Sequence, residues 1–352
     1  MKQAPPSSTI QVLDGSTLTR EAAGSQAARC LAQGAQAALV HGVRVGSGSL
    51  HWLHGAHARG WVRPDASLPP ISANAFERDW ASWCERGFVP VDAALLALAG
   101  PHWRLPALSW DEHALPDAVL RAEARAPLGI YAIVDNVRRL RQVLDAGIGT
   151  VQLRIKQPPD ADAAWHEGLR AALQEGIGAA RAAGALLFIN DHWRLAAQLG
   201  GAAVHLGQED LLALGEAGRA ELRATQLALG ISSHAAWELC RARGLAPAYI
   251  ACGPVWPTTT KDMPWVPQGL DNLAWWCRVA GTPVVAIGGI LLPEQVEQSA
   301  AAGASGVCVL RGLGEAPDAV VPALQAAFAR GRSRLDASRQ AGWPHPTLDR
   351  RR

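Results

Sequence analysis

GIYAIVD, residues 129–135, opens a series of short β-rich runs that decides the fold of most of this chain. It is followed by TVQLRI (150–155), ALLFIN (185–190), AAVHLG (202–207), LALGIS (227–232), AYIACG (248–253), PVVAIGG (283–289) and SGVCVL (305–310), with helical text between them. Strands alternating with helices of roughly ten to fifteen residues predict βαβ units and a parallel sheet. Eight such repeats within about 200 residues predict a closed (β/α)8 TIM barrel over residues 128–330, α/β in class, with an N-terminal α/β extension. An open doubly wound sheet is the alternative, but it rarely carries eight such regular repeats. In a barrel, polar residues at the carboxyl ends of the strands surround one site.

The second run ends Gln152-Leu153-Arg154-Ile155-Lys156. Strand alternation puts Gln152, Arg154 and Lys156 on one face, and two cations buried on an inner face need an anion. A phosphate or diphosphate meets that need, and an internal ion pair with carboxylates meets it equally well. The third run ends Phe188-Ile189-Asn190-Asp191, and the fourth continues His205-Leu206-Gly207-Gln208-Glu209-Asp210. Asp191 and Asp210 can converge on a hard cation, since magnesium is commonly held by one or two carboxylates plus substrate phosphate oxygens. Each can equally cap a helix. His205, inside an apolar strand, reads as a core residue bonded to backbone. After the fifth run, Ser233 reads as a helix cap and Ser232 as a ligand contact. Gly253-Pro254-Val255-Trp256-Pro257-Thr258-Thr259-Thr260-Lys261 sets three hydroxyls and an amine on a proline-fixed loop, a donor-rich cradle for an anion. Gly288-Gly289 after the seventh run and Leu310-Arg311 after the eighth stand where barrels of this kind commonly bind phosphate.

The rest of the 352 residues is less patterned. Residues 1–24 and 331–352 read as flexible tails and 112–127 as a linker. Residues 25–111 read as a small region with a helix near Gly24–Ala35, a strand over Ala37–Val45 and a helix near Val91–Leu98, its tryptophans filling a small core. His51, His54 and His57 lack a nearby cysteine or carboxylate to complete a zinc set. The six cysteines show no CxxC spacing and read as small buried hydrophobes. With 49% hydrophobic and 18% charged residues the chain is globular rather than disordered, and a net charge of +2 gives no case for a nucleic-acid partner. Neither a secretory leader nor a bilayer-spanning stretch is visible, so a cytoplasmic location and no membrane partner are expected. An apolar patch shared between subunits looks like core in a single sequence, so monomer and homo-oligomer both stay open.

Taken in order, QLRIK, FIND, HLGQED, GISSH, GPVWPTTTK, AIGGI and GVCVL resemble the thiamine-phosphate synthases over nearly all of residues 128–315. The segment from Thr260 through Lys261, Met263, Pro264, Pro267, Gln268 and Gly269 is especially similar to the enteric branch. The resemblance implies a transferase that joins a hydroxymethylpyrimidine diphosphate to a thiazole phosphate, small-molecule substrates both, with one Mg2+ as cofactor. By that similarity Gln152, Leu153, Arg154, Ile155, Lys156, Asn190, Ser232 and Lys261 bind the pyrimidine diphosphate, with Arg154, Lys156, Ser232 and Lys261 as the catalytic set. Asp191 and Asp210 hold the metal. Thr258, Thr259, Thr260, Gly289, Leu310 and Arg311 bind the thiazole phosphate. Arg311 departs from the serine usual there, which implies altered affinity. The related thiazole tautomerases need neither diphosphate nor magnesium, so the full Arg154, Lys156, Asp191, Asp210 set argues against that activity; a silent thiazole-phosphate binder is the non-enzymatic alternative.

Further upstream, ALVHGVRVGSGSLHWLHG (38–55) and SANAFERDWASWCERGFVPVDAALLALAG (72–100) resemble the end of hydroxymethylpyrimidine phosphate kinases. The Gly-Thr-Gly-Cys motif of those kinases is absent, with Ser72-Ala73-Asn74-Ala75 in its neighbourhood, which implies a degenerate remnant without phosphotransfer.

Overall fold

The computed structural model describes residues 9–46, 48–116, 119, 127–258, 264–335, 342 and 344–348. The chain forms two compact units: residues 1–120 with 235–245 and 345–352, and residues 121–234 with 246–344.

The first unit is built on a five-stranded sheet in the order β1 (Ile10–Asp14), β2 (Ala37–Val45), β3 (Gly48–Gly55), β4 (Arg59–Arg63) and β5 (Ala107–Leu108). The β1–β2 pair is parallel and the other pairs antiparallel. Helix α1 (Arg20–Ala32) starts at Thr19, whose hydroxyl accepts from the Ala22 amide. Helix α2 (Ala73–Glu85) starts at Ser72 in the same way, so the Ser-Ala-Asn-Ala stretch is a helix start. Helix α3 (Pro90–Ala99) is apolar, and nine of its residues are buried, Asp92 among them. Ala23, Ala27, Val40, Trp52 and Trp61 form one core cluster, so these tryptophans do fill core.

Residues 10–14 and 20–24, assigned to a tail from sequence, therefore lie in a strand and a helix. Four of the five β1 residues stand in register with consecutive apolar β2 residues, a partner that Ser- and Thr-rich flanks conceal. The start of the expected linker is also held. The Trp61 indole donates to the Glu112 carbonyl at 3.0 Å and Arg63 to the Pro116 carbonyl at 3.1 Å. Residues 117, 118 and 120–126 fall outside the described residues. At the other end a helix from Pro317 runs to Ser333, inside the expected tail, and Thr347 in the first unit is buried.

The second unit is the expected barrel. All eight runs are strands: β6 (Gly129–Val134), β7 (Thr150–Leu153), β8 (Leu186–Asn190), β9 (Ala203–Leu206), β10 (Ala228–Ser233), β11 (Tyr249–Cys252), β12 (Val284–Ala286) and β13 (Gly306–Val309). They pair in parallel, and the β13–β6 pair closes the ring at Gly306 and Gly129. Between them lie α4 (Val137–Asp145), α5 (Ala163–Ala182), α6 (Trp193–Gln198), α7 (Gln208–Ala213), α8 (Gly215–Ala224), α9 (Ala236–Ala242), α10 (Gly269–Val279) and α11 (Pro293–Ala301), with α12 (Pro317–Ser333) after β13. Asn136 caps α4 and Asp162 caps α5, each accepting from the amide three residues on. Tyr131, Phe188, Tyr249, Ala251, Val285 and Cys308 form the core cluster contributed by the barrel strands.

The sixth helix of that series behaves differently from its neighbours. Helix α9 belongs to the first unit, and all seven of its residues are buried, Glu238 and Arg241 included. Its first amides are capped by Asp92, which accepts from the Trp237 amide at 2.8 Å. Arg241 donates to the carbonyls of Ser109 and Arg59, and Arg243 to that of Leu105. Sequence assigned the cap to Ser233. Its hydroxyl instead accepts from Gln208 at 2.8 Å, and α9 has no cap from its own preceding residues. Among the described residues no helix is long and apolar enough to cross a membrane.

Candidate active site

Strand β7 ends at Leu153, so Gln152 is buried inside the barrel whereas Arg154 and Lys156 lie beyond the strand and are exposed. The expectation of two buried cations is corrected by that strand end: the pleat that would carry them inward stops one residue too soon. Both follow β7 at the carboxyl end of the barrel, where Lys156 meets Asp191 just past β8. The Arg154 amide bonds the Val134 carbonyl at 2.7 Å, and the His192 ring holds the Ile155 carbonyl at 2.8 Å. Lys156 Nζ sits 2.5 Å from Asp191 Oδ2.

Asp191 does not cap a helix. It occupies the left-handed region at φ 64°, and His192 stands between it and α6, which starts at Trp193 without a side-chain cap. Asp and Asn tolerate that conformation better than other residues with a Cβ. Asn190 beside it is buried, and its Nδ2 has no hydrogen-bond partner among the described residues. An orphaned buried donor costs about 1–3 kcal/mol, which a ligand acceptor would offset. Asp210, on α7, reaches back with Oδ2 to the Gly207 amide at 2.9 Å. A Cβ at Gly207 would stand 2.9 Å from Glu209 Oε2 and 3.1 Å from Asp210 Oδ2, so glycine lets the acidic turn fold over its own backbone.

His205 bonds side chains rather than backbone. Its Nδ1 lies 2.6 Å from the Tyr249 hydroxyl and its Nε2 2.8 Å from Ser232 Oγ. The Tyr249 hydroxyl meets that of Tyr131 at 2.7 Å, and Gln152 Nε2 donates to Tyr131 at 3.2 Å. Burial drives the imidazole down to a pKa of about 4 and both phenols well above their ordinary value. Sequence reasoning missed both tyrosines. The available signal was that they are the chain's only two, each placed in a barrel strand where a phenol must find a buried partner. Gly230 makes room for one of them: a Cβ there would stand 2.4 Å from the Tyr249 ring. Gly230→Ala is expected to displace that ring and destabilise the chain by about 1–3 kcal/mol, measured by urea unfolding.

On the thiazole side, Gly288 and Gly289 have φ of 94° and 71°. A Cβ on Gly289 would stand 2.6 Å from the Pro257 carbonyl, and one on Gly288 2.6 Å from Pro254. The glycine pair thus seats the 253–258 loop, a role beyond the expected approach to phosphate oxygens. Two backbone bonds tie the pieces, from Val255 to Ile287 and from Trp256 to Gly288. Gln268, fully buried, donates to the His234 carbonyl and returns the chain to this loop through its amide on Pro254. Thr258 is half-buried, and Leu310 and Arg311 are exposed just past β13. Arg139 donates to the carbonyls of Gly314 and Glu315 and so holds the turn that follows. Thr259, Thr260 and Lys261 lie outside the described residues.

Asp191 follows β8 and Asp210 lies on α7 after the neighbouring β9, and carboxylate oxygens are the donor type that magnesium takes. Among the described residues no three His, Cys, Asp or Glu side chains gather into a metal cluster. A magnesium ion completed by substrate phosphates does not need a third.

Residues 130–313 match the family profile described as thiamine monophosphate synthase. The thiamine-phosphate synthase of Neisseria meningitidis serogroup A is 42% identical over 205 residues, 57% of this chain and 95% of that protein. The enzyme of Escherichia coli O6:H1 is 43% identical over 192 residues, covering 54% and 86%. Among solved structures, thiamine phosphate pyrophosphorylase from Pyrococcus furiosus is 25% identical, with a TM-score of 0.49 over 58% of this chain and 96% of that one. With a profile match that spans more than half of its length and enzymes of one name aligned along nearly all of theirs, the chain belongs to the thiamine monophosphate synthase family.

Proposed function

We propose that the barrel makes thiamine phosphate by dissociative substitution, the bond from the pyrimidine methylene to diphosphate breaking before the thiazole nitrogen bonds to carbon. The observation that carries this reading is the meeting of Lys156 with Asp191 at the carboxyl ends of β7 and β8, beside the buried Asn190 amide that has no partner among the described residues. No nucleophile paired with a base is required, because the thiazole nitrogen attacks as it stands. What needs assistance is the departing diphosphate, and pre-organised charge at the position where charge develops is the effective means.

Arg154 and Lys156 would take the leaving oxygens, Arg through a planar fork and Lys as a point charge. Gln152 and Asn190 would orient the aminopyrimidine, Asn190 through its unpartnered amide. Asp191 and Asp210 would hold Mg2+, which when bound supplies Lewis-acid neutralisation of diphosphate. Thr258, Gly289 and the backbone at Leu310 and Arg311 would receive the thiazole phosphate, with Thr259, Thr260 and Lys261 completing the cradle. Small-molecule substrates and a cytoplasmic setting accord with such a biosynthetic enzyme.

The test is thiamine phosphate formation by the full chain with both substrates, with magnesium and with chelator. Product only with magnesium is expected; product in chelator would overturn the metal assignment. Arg311→Ser is expected to raise KM for thiazole phosphate about tenfold with kcat unchanged, as lost ground-state binding should. A many-fold gain in kcat at constant KM would instead make Arg311 an obstacle to turnover.

A further inference from the structure

Five side chains from five strands form one hydrogen-bonded file across the barrel: Gln152, Tyr131, Tyr249, His205 and Ser232, with successive separations of 3.2, 2.7, 2.6 and 2.8 Å. The first four are at most 7% exposed, and Ser232 is half-buried at the open end. Each member has a fixed inventory. The Gln152 nitrogen can only donate, each phenol donates one proton, and a neutral imidazole donates from one nitrogen and accepts at the other.

These inventories leave one consistent direction. Gln152 donates to Tyr131, so the Tyr131 proton must turn to Tyr249. The Tyr249 proton then turns to His205 Nδ1, which must be bare, and the His205 proton resides on Nε2 and faces Ser232 Oγ. Run the other way, the Tyr131 oxygen would accept from both Gln152 and Tyr249 and its own buried proton would lack an acceptor among the described partners, at a cost of about 1–3 kcal/mol.

We propose that this file is a one-way donor relay that fixes His205 as the Nε2–H tautomer and leaves the Ser232 hydroxyl with its proton free for the substrate. Tyr131, Tyr249 and His205 are then positioning residues, and Ser232 is an obligate donor. The acceptor it addresses is an anionic phosphate oxygen, because Arg154 and Lys156 follow β7 at the same carboxyl end of the barrel where β10 ends just after Ser232. Hydrogen bonds in series polarise one another, so the Ser232 bond strengthens as negative charge grows on that oxygen. The identity of the acceptor rests on the synthase reading, whereas the tautomer does not.

The experiment labels the full chain with 15N-histidine and reads the His205 ring by NMR without substrate, the His205→Gln variant identifying its signals by their loss. A protonated Nε2 with bare Nδ1 is expected; a protonated Nδ1 overturns the relay whatever the activity. Tyr249→Phe removes the proton donated to Nδ1 and is expected to mix the tautomers. It should lower kcat about tenfold, less than the ~10²-fold cost of deleting a donor that touches substrate, with KM for the pyrimidine diphosphate within about twofold. Tyr131→Phe leaves the Tyr249 proton in place and should keep the tautomer. An unmixed tautomer and unchanged kcat in Tyr249→Phe would sink the proposal. Absence of thiamine phosphate from the wild-type chain, with the Nε2–H tautomer present, would remove the synthase reading and leave the relay standing.

Discussion

Asp191→Asn is expected to lower turnover about a thousandfold with the unfolding midpoint nearly unmoved. The charge removed belongs to the set proposed to handle diphosphate, where loss of a metal ligand or a pre-organised charge would cost several kcal/mol in the transition state. In the resting protein the same charge contributes little. Its pair with Lys156 has side chains 54% and 27% exposed, and such pairs are worth about 0–1 kcal/mol. Asparagine is the informative replacement because the residue holds φ 64°, where alanine would add backbone strain of about 1 kcal/mol and confuse stability with chemistry. Single-turnover kinetics beside a urea melt separate the two. Wild-type turnover in Asp191→Asn would take the carboxylate out of the reaction.

Asp92→Ala is expected to destabilise the protein by about 2–3 kcal/mol without touching the barrel's site. It removes the acceptor for the Trp237 amide and leaves the first turn of α9 buried with its donors unmet. Burial pushes the Asp92 carboxyl up to about 8, against the two backbone bonds that favour its charged form. The sign follows from linkage. Below the unfolded value of 3.8 both states hold the proton, and between 3.8 and about 8 only the folded state does. The stability linked to this group is therefore whole in acid and declines as pH rises through that window. Asp92→Asn keeps an acceptor and cannot ionise, so it should match the wild type below pH 3.8 and exceed it by a margin that grows up to about pH 8 in denaturant melts. A mutant that tracks the wild type at every pH would show the carboxyl to be charged throughout.

The barrel was legible because its information is local. Each run such as GIYAIVD or AYIACG carries its own strand signal, and the station of Asp191 or Gly289 after a strand places it at the functional end. The file from Gln152 to Ser232 was not legible, since the pairing of Tyr131 with Tyr249 depends on two strands 118 residues apart meeting inside the ring. The exposure of Arg154 and Lys156 turned on where β7 stops, and strand ends are set by pairing partners rather than by the residues themselves. Asp92 was not legible either, since its partner, the Trp237 amide, lies 145 residues on.

The allegiance of α9 bears on how such a chain can change over generations. Here the synthase segment lends the helix between its fifth and sixth strands, with both buried charges of that helix, to its neighbour. Losing the first 120 codons would leave that loan unreturned, a bare helix carrying a buried acid's vacancy and two stranded cations. The union is in this respect a ratchet: later substitutions in residues 235–245 can restore freedom, but a simple deletion cannot.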